Sequence, residues 1–122
     1  MSGNINFDGW INDDGTENYK CRAWVNFDGT GTVAIRASGN VSSITDNGTG
    51  DYTVNFTNAM SDANYAWVGS YGADNSSTAG FITGARSVAL TTSKTTSALR
   101  ISSVYGTGTP NDIASISVAV FR

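Results

Sequence analysis

Histidine is absent from this chain of 122 residues, and its absence narrows the chemistry that the other side chains could perform. Histidine is the commonest general base and metal ligand, and it activates the serine and cysteine nucleophiles of many hydrolases. The single cysteine, Cys21, has no second thiol or histidine to work with, so we interpret it as a small buried hydrophobic residue. The sequence therefore predicts no catalytic residue, no metal site, no cofactor and no enzymatic activity.

Carboxylates are the remaining groups that could act chemically, because two of them suffice for glycoside hydrolysis. Asp46 and Asp51 flank one predicted turn, and further acids cluster in the segment Asp8–Glu17, where their oxygens would suit a calcium ion. Aspartate is also favoured in turns because its side chain bonds to the nearby backbone. The spacing in Asp8–Glu17 does not match the EF-hand loop. We therefore interpret both groups as turn residues, with calcium as the alternative for Asp8–Glu17.

Aromatic side chains offer a third kind of chemistry, the stacking of neutral sugar rings. Most of the aromatic residues fall in predicted strands and are assigned to the core, including Trp24 in the middle of its strand. Tyr71 and Tyr105 stand at predicted strand ends, beside the loops Gly72–Thr78 and Gly106–Asn111. Loops carry binding in many β-scaffolds, and a rigid aromatic beside adaptable polar residues is typical of paratopes. The predicted binding residues are Tyr71, Asp74, Asn75, Tyr105, Thr107 and Asn111.

The backbone that positions these residues is predicted to be all-β. Ser, Thr, Asn and Gly make up nearly half of the chain, and charged residues make up only 14%. Small polar side chains compete with helix formation, whereas Thr, Val, Ile and aromatic residues favour strands. The length allows one domain with its own core. We predict a single antiparallel β-sandwich, jelly-roll-like and of about eight strands, formed by residues 21–122.

From Cys21 onward apolar residues alternate with small polar ones, which is the period of half-buried strands. Clusters of Gly, Asn and Asp separate the alternating runs and predict turns. One short helix-like segment, Asn58–Asn64, is equally compatible with a turn. The predicted strands cover residues 22–27, 31–37, 40–45, 51–57, 64–71, 79–91 with a break allowed at Gly84, 97–105 and 113–121.

The last predicted strand is apolar on both of its faces. Ile116, Val118 and Val120 share one face, and Ala119 and Phe121 share the other. A strand that is apolar on both sides must be covered on both. Either a neighbouring subunit supplies the second cover, which favours a homotrimer with closed symmetry, or the strand lies in the middle of the sandwich.

Residues 1–20 differ from the rest of the chain. They carry the whole net charge of −3, and they lack strand alternation. We predict that they form an attachment arm, which docks on another protein or on a neighbouring subunit through Ile5, Phe7, Trp10 and Ile11. The remainder has no basic stripe, so we expect a neutral partner and no binding to nucleic acid. No signal peptide or membrane-length apolar run is present, which predicts synthesis in a cytoplasm without membrane insertion.

Two consecutive runs of the sequence are distinctive. They are AWVNFDGTGTVAIRAS, residues 23–38, and NVSSITDNGTGDYTVNF, residues 40–56. Together with the closing ISVAVFR, residues 116–122, they resemble a domain that recurs at the C-terminal end of tail-fibre-like and other structural proteins of marine tailed phages, notably cyanophages. The resemblance covers most of residues 22–122. It implies a β-sandwich tip domain that forms homotrimers and is displayed on the virion surface to contact the host envelope.

The function expected from this resemblance is attachment of the virion to a neutral glycan or protein of the host cell surface, with residues 1–20 docking on another virion protein. The alternative is a decoration or cement protein of the capsid or tail that has no receptor of its own. The related domains usually end a long chain with its own anchoring region, whereas here some twenty residues precede the domain. We therefore expect either a complete small virion protein or an excised tip.

Overall fold

The computed structural model describes residues 11, 13–16, 19–72, 80–85 and 90–122, and in this part of the chain two antiparallel sheets of four strands face each other. The predicted β-sandwich of about eight strands is thus confirmed. The elements are β1 (Cys21–Asp28), β2 (Ala34–Gly39), β3 (Val41–Gly48), β4 (Asp51–Phe56), β5 (Ala66–Gly72), β6 (Gly80–Gly84), a short helix α1 (Leu90–Ser93), β7 (Ala98–Tyr105) and β8 (Ser115–Phe121).

The strands are divided between a front sheet and a back sheet. The front sheet has the order β2-β1-β8-β5, and the back sheet has the order β3-β4-β7-β6. The last strand, β8, therefore lies in the interior of the front sheet, between β1 and β5. The strand is thus central, as one of the two alternatives expected, but this position covers only its inward face, and Phe121 on the outward face is 37% exposed.

The core forms because alternate residues of each strand point between the sheets. Tyr52, Val54 and Phe56 of β4 are buried, and so are three residues of β8 that lie on the opposite side of the core. Two edge-to-face aromatic pairs join the layers, Phe27 with Tyr52 at 5.2 Å and Phe56 with Tyr65 at 5.8 Å between ring centroids. The buried hydrophobic cluster comprises Ala23, Val25, Phe27, Val41, Tyr52, Val54, Phe56, Met60, Tyr65, Leu99, Ile101, Ile113, Ile116, Val118 and Val120.

One end of the sandwich is closed by hydrogen bonds around Tyr52. Its hydroxyl lies 2.8 Å from the carbonyl oxygen of Gly29 and 2.7 Å from Asp112 Oδ1. The same carboxylate oxygen accepts the backbone N–H of Gly50 at 2.8 Å, and Gly50 adopts a positive φ of 63° in the β3–β4 turn. Burial, followed by the hydrogen bond to Asp112, raises the pKa of Tyr52 well above its ordinary value. This ring is a structural part of the fold.

A second buried tyrosine, Tyr65, holds the segment between α1 and β7. Its hydroxyl lies 2.9 Å from the carbonyl oxygen of Thr95 and 3.1 Å from that of Ala98. The ammonium group of Lys94 lies 4.8 Å from the centre of the Tyr65 ring. Burial raises the pKa of Tyr65 to about 12. The chain can reverse here without leaving the tyrosine hydroxyl unpaired in the core.

One detail of the predicted secondary structure is wrong. Strand β6 ends at Gly84, where a break was allowed, but Leu90 and Thr91, expected in the same strand, belong to α1. Asn58–Asn64 contains no helix, which agrees with the alternative to a helix given for that segment. Strands β6 and β7 are antiparallel neighbours, and the chain reverses between Gly84 and Ala98.

Two predicted core residues are exposed. Trp24 was assigned to the core, but Ala23, Val25 and Phe27 occupy the inward positions of β1, and the strand period turns Trp24 outward. Cys21 was interpreted as buried, but it is exposed, because the register of β1 on β8 shifts between Cys21 and Ala23 at the start of the strand. Its thiol lies 3.1 Å from the carbonyl oxygen of Ala23.

The predicted attachment arm is described only in part. Ile5, Phe7 and Trp10 lie outside the described residues, and Ile11 is 58% exposed. Asp14 accepts hydrogen bonds from the backbone N–H and the hydroxyl of Thr16, which is the turn geometry expected for an aspartate there. Those hydrogen bonds lower the pKa of Asp14. The arm as a docking element stays a prediction.

Candidate binding surface

The structure places Tyr71 and Tyr105, the two predicted aromatic binding residues, at the same end of the sandwich. Gly80 pairs with Tyr105 in the β6–β7 ladder, and an ideal Cβ on Gly80 would lie 3.2 Å from the Tyr71 hydroxyl oxygen. Both tyrosines are half-buried, and Tyr71 packs against the core cluster. Their rings therefore contribute to the packing between the sheets, which leaves only part of each ring for an outside partner.

The loop after Tyr105 is held by its own backbone. The N–H of Tyr105 donates to the carbonyl oxygen of Thr109 at 2.9 Å, and the Thr107 side chain is exposed at the tip. Asn111 is bonded inward, since its N–H donates to the Ser103 carbonyl at 3.0 Å and its carbonyl accepts the Ser103 hydroxyl. These bonds hold the backbone of Asn111 in place, and its side chain stays a predicted contact. Of the other predicted binding residues, Asp74 and Asn75 lie outside the described part of the chain.

A different surface, the outer side of the front sheet, carries the exposed aromatic ring that the sequence analysis assigned to the core. Paired residues on adjacent strands share a face, so the register arranges outward side chains in rows across the sheet. Trp24 of β1 pairs with Ala119 of β8, which pairs with Val68 of β5. The next row contains Asn26, Ser117 and Ser70. We call these two rows the Trp24 face; it consists of Trp24, Asn26, Val68, Ser70, Ser117 and Ala119.

The first row of the Trp24 face is apolar and open. Trp24 is 44% exposed and Val68 is 60% exposed, and the small side chain of Ala119 stands between them. The indole leans toward β2, because its pyrrole edge lies over Gly39, where any Cβ would collide with Nε1. A large ring covering a glycine on the neighbouring strand is a known way to stabilise a sheet. The result is a depression of about 410 Å³ between Trp24 and Val68.

The second row of the Trp24 face is polar. The amide nitrogen of Asn26 lies 3.2 Å from the Ser115 hydroxyl oxygen, 3.3 Å from the Ile116 carbonyl oxygen and 3.0 Å from the Ser117 hydroxyl oxygen. Because the amide nitrogen is engaged with β8, the carbonyl oxygen of the same amide is the atom that can accept a hydrogen bond from outside. The hydroxyls of Ser70 and Ser117 stand in the same row and can both donate and accept.

Ionised groups are confined to the borders of the Trp24 face, and none of its six residues can ionise. Arg36 pairs with Asp28 at 3.7 Å beyond the polar row. At the other border Arg122 makes two hydrogen bonds to Asp62, of 2.9 and 2.7 Å, and these lower the pKa of Asp62 to about 2. Arg22, which precedes Trp24 on β1, donates from Nε to the carbonyl oxygen of Arg122 at 3.0 Å. The six residues of the face itself present a neutral surface.

The outer side of the back sheet differs in chemistry over β3, β4 and β7. We call this part the Asn55 face; it consists of Ser43, Thr45, Asn47, Asp51, Thr53, Asn55 and Arg100, and the exposed Phe81 on β6 lies outside it. The amide nitrogen of Asn55 lies 3.1 Å from the Ser43 hydroxyl oxygen and 2.9 Å from that of Thr45. Arg100 holds Asp51 through two hydrogen bonds of 2.9 and 2.7 Å, which lower the pKa of Asp51. These side chains bond to one another and to water.

Comparisons with protein-family models, curated proteins and solved structures gave no match to this chain. Within the described residues, no helix has the length and apolar character needed to cross a membrane. No group of three or more Cys, Asp or Glu side chains is gathered in a metal-binding arrangement in the same residues.

Trp24 and Val68 are the exposed residues that the sequence analysis missed, and a signal for Trp24 was present. Residues 23, 25 and 27 of β1 are Ala, Val and Phe, so one face of this strand was already apolar without the tryptophan. A period of two then assigns Trp24 to the other face. The pairing of Trp24 with Ala119 and Val68 could not be predicted in the same way, because it depends on which strands become neighbours.

Proposed function

We propose that this chain is a virion surface domain of a tailed phage and that it attaches the particle to the host cell by binding through the Trp24 face. The observation that carries the binding part of the proposal is an exposed tryptophan in a neutral depression, next to a row of hydrogen-bonding side chains. The resemblance of residues 22–122 to phage tip domains supports the location on the virion. No step of this function requires catalysis.

The chemistry of the Trp24 face favours binding over a purely solvated exterior. A typical ligand site is mostly apolar, with a few polar groups that fix the orientation of the ligand. The Trp24 face has this composition, because Trp24, Ala119 and Val68 form the apolar row and Asn26 stands in the polar row. Its partner must be neutral over the contact, since a charge buried there would find no opposite charge within the face.

A decoration or cement protein is the second candidate, and one observation favours it. The apolar surface continues past the Trp24 face, because Phe121 is exposed and pairs with Ala66 on β5. A longer apolar strip suits a flat contact with another virion protein. In that case the outward side of β8 is covered on the particle, and the chain has no receptor of its own.

We also propose that the chain forms homotrimers, as the resemblance implies. One small face gives weak attachment, and three copies that engage together raise the overall affinity by orders of magnitude when their spacing matches the surface that they meet. The loop end formed by Tyr71, Tyr105 and Thr107 stays a second predicted contact region. Light scattering on the purified chain tests the trimer, and a stable mass of 12.7 kDa at micromolar concentration would contradict it.

Attachment is tested by asking whether the purified chain binds host cells and slows adsorption of the phage that encodes it. We expect saturable cell binding, its loss in Trp24→Ala, and retention in Phe81→Ala. Phe81 is a matched control because it is 49% exposed on the outer side of the back sheet. Failure of the wild-type chain to bind cells, combined with rebinding to particles that lack it, would replace attachment by decoration.

A further inference from the structure

We infer that the ligand of the Trp24 face is a neutral saccharide, with one pyranose ring stacked on the indole of Trp24 and its hydroxyls bonded to the row of Asn26, Ser70 and Ser117. This inference rests on the proposed attachment function and names its ligand class. It excludes acidic sugars and phosphorylated polymers as occupants of this face.

A pyranose ring and the Trp24 face are both amphipathic, and their apolar and polar parts match. A pyranose presents a patch of C–H groups on its ring face and hydroxyl groups around its rim. The Trp24 face has an aromatic surface in one row and hydrogen-bonding groups in the next, about 7 Å away along the strands, since each residue advances about 3.4 Å. A sugar ring lying on Trp24 can therefore reach the polar row with hydroxyls from a single edge.

The shape of the depression between Trp24 and Val68 also suits a sugar ring. Trp24 and Val68 are separated by two strand spacings, or about 10 Å, with only the methyl group of Ala119 between them. Because the indole leans over Gly39 on β2, it does not fill this gap. The gap is thus a trough floored by Ala119, walled by Trp24 and Val68, and sized for a ring rather than for a flat protein surface.

None of the six residues of the Trp24 face carries a charge. Uronates, sialic acids and phosphates are normally held by Arg or Lys. The arginines at the borders are engaged: Arg36 and Arg122 pair with Asp28 and Asp62. Arg22, two residues before Trp24 on β1, donates from Nε to the carbonyl oxygen of Arg122 at 3.0 Å. An anionic sugar placed over Ala119 would lose hydration and find each of these guanidinium groups already bonded, so a neutral ring is favoured.

In the polar row, the amide of Asn26 is already held in one orientation before a ligand binds. Asn26 donates from its amide nitrogen to β8, at 3.0 Å to Ser117 Oγ and 3.2 Å to Ser115 Oγ, which fixes the plane of the amide. The amide therefore need not be immobilised again when a ligand binds, and this lowers the entropic cost of recognition. Its carbonyl oxygen is the acceptor for one sugar hydroxyl, and the Ser70 hydroxyl is a second partner.

The inference is tested by titrating the ¹⁵N-labelled full chain with three neutral probes and one acidic probe, observed by nuclear magnetic resonance. The neutral probes are maltotriose, triacetylchitotriose and the neutral polysaccharide fraction of the host envelope, and the acidic probe is trigalacturonate. We expect saturable shifts of the Trp24 indole N–H and of the Ser117 and Ala119 amides with a neutral probe. We expect no shifts with trigalacturonate.

Three variants locate the site. Ala119→Leu fills the trough without removing any group and is expected to weaken binding at least tenfold. Ser70→Ala removes one hydrogen bond, which corresponds to a loss of about twofold to tenfold. Phe81→Ala, on the opposite sheet, should bind like the wild type. Since Trp24→Ala also uncovers Gly39, Ala119→Leu is the decisive variant if Trp24→Ala does not fold.

The inference is overturned if no neutral probe shifts the Trp24 indole at tens of millimolar, or if Ala119→Leu binds as well as the wild type. It is also overturned if the mass of the chain rises with concentration and Ala119→Leu prevents that rise, because a second copy then covers the face. Cell attachment that depends on Trp24 but is not inhibited by neutral saccharides would refute the ligand class and leave the proposed attachment intact. Saccharide binding at the Trp24 face without cell attachment would refute the proposed attachment and leave the ligand class intact.

Discussion

The Trp24 face and the Asn55 face point in opposite directions from one core, and they differ in how their side chains find partners. On the Asn55 face, Asn55 donates to Ser43 and Thr45, and Arg100 holds Asp51. On the Trp24 face, Trp24 and Val68 of the apolar row are 44% and 60% exposed. Both faces are built from antiparallel strands of similar length, so backbone geometry does not cause the difference.

The contrast indicates which side of the sandwich gains free energy when a partner covers it. Polar side chains that bond to one another lose little by facing water, and burying them against a partner would gain little. An exposed indole next to Val68 gains free energy when a ligand covers it, at about 25 cal/mol per Å² of apolar surface. Of these two faces, the Trp24 face therefore gains from a partner and the hydrogen-bonded Asn55 face does not. Phe81 is exposed on the back sheet too, but it lies on β6 outside the Asn55 face and has no polar row like that of Asn26, Ser70 and Ser117 described beside it.

The largest expected effect comes from placing one negative charge on each face in turn. Val68→Asp puts a carboxylate at the wall of the trough, where a bound ligand would desolvate it, and affinity should fall about a hundredfold, or about 2.7 kcal/mol. Thr45→Asp puts the same charge on the Asn55 face and should leave affinity unchanged. Titration of both variants with the same probe makes the measurement. Equal losses would mean that the two faces are not functionally different.

The next effect concerns the core that both faces share. Tyr52→Phe removes the hydroxyl that bonds Gly29 and Asp112, and it should lower the free energy of unfolding by about 1–3 kcal/mol, because a buried carbonyl loses its partner. Thermal and urea unfolding measure the loss. Affinity at the Trp24 face should not change at a temperature where the variant is folded. A change in affinity would show that the face depends on this end of the sandwich.

The period of the strands could be predicted from the sequence, but the neighbours of each strand could not. The alternation in residues 51–57 and 113–121 predicted β4 and β8 almost to the residue. The break that the sequence allowed at Gly84 is the end of β6, but Leu90 and Thr91, expected in the same strand, belong to α1. The pairing of strands depends on residues far apart in sequence, and a local pattern does not contain it.

The candidate site shows the same limit. Tyr71 and Tyr105 were expected as binding residues at strand ends, each beside a loop, and the structure brings both to Gly80 as half-buried rings. The Trp24 face combines residues from β1, β5 and β8, which are up to 95 positions apart in sequence (Trp24 to Ala119). No spacing rule links such residues, so their grouping becomes visible only when the register is known.

A smaller effect is expected from breaking the hydrogen-bonded ladder. Asn55→Ala removes the amide that bonds Ser43 and Thr45, and the free energy of unfolding should fall by up to about 1 kcal/mol, since the partners can turn to water instead. Ser70→Ala, the corresponding change on the Trp24 face, should alter stability less, because no hydrogen bond of the Ser70 side chain to other described residues is lost. Unfolding in urea compares the two. A larger loss of stability in Ser70→Ala than in Asn55→Ala would mean that the Trp24 face, and not the Asn55 face, is the one held by internal hydrogen bonds.

The smallest expected effect is a loss of stability at acid pH that arises on the Asn55 face and not on the Trp24 face. The hydrogen bonds from Arg100 lower the pKa of Asp51 below its ordinary 3.8, so the folded protein binds this proton more weakly than the unfolded chain. The resulting stabilisation is complete above about pH 4. It is lost as the pH falls through the lowered pKa. A partly exposed ion pair of this kind contributes up to about 1 kcal/mol.

Asp51→Asn should therefore be less stable than the wild type at pH 7, and this difference should shrink as the pH is lowered from 4 toward 2. The comparison must be a difference between the two proteins, because Asp62 and Asp28 also have lowered pKa values and lose their own stabilisation in acid. Ligand affinity at the Trp24 face should stay constant from pH 5 to 8, since none of its residues titrates. If affinity instead follows the acid transition of Asp51, the two faces are coupled through the core, and the division between them fails.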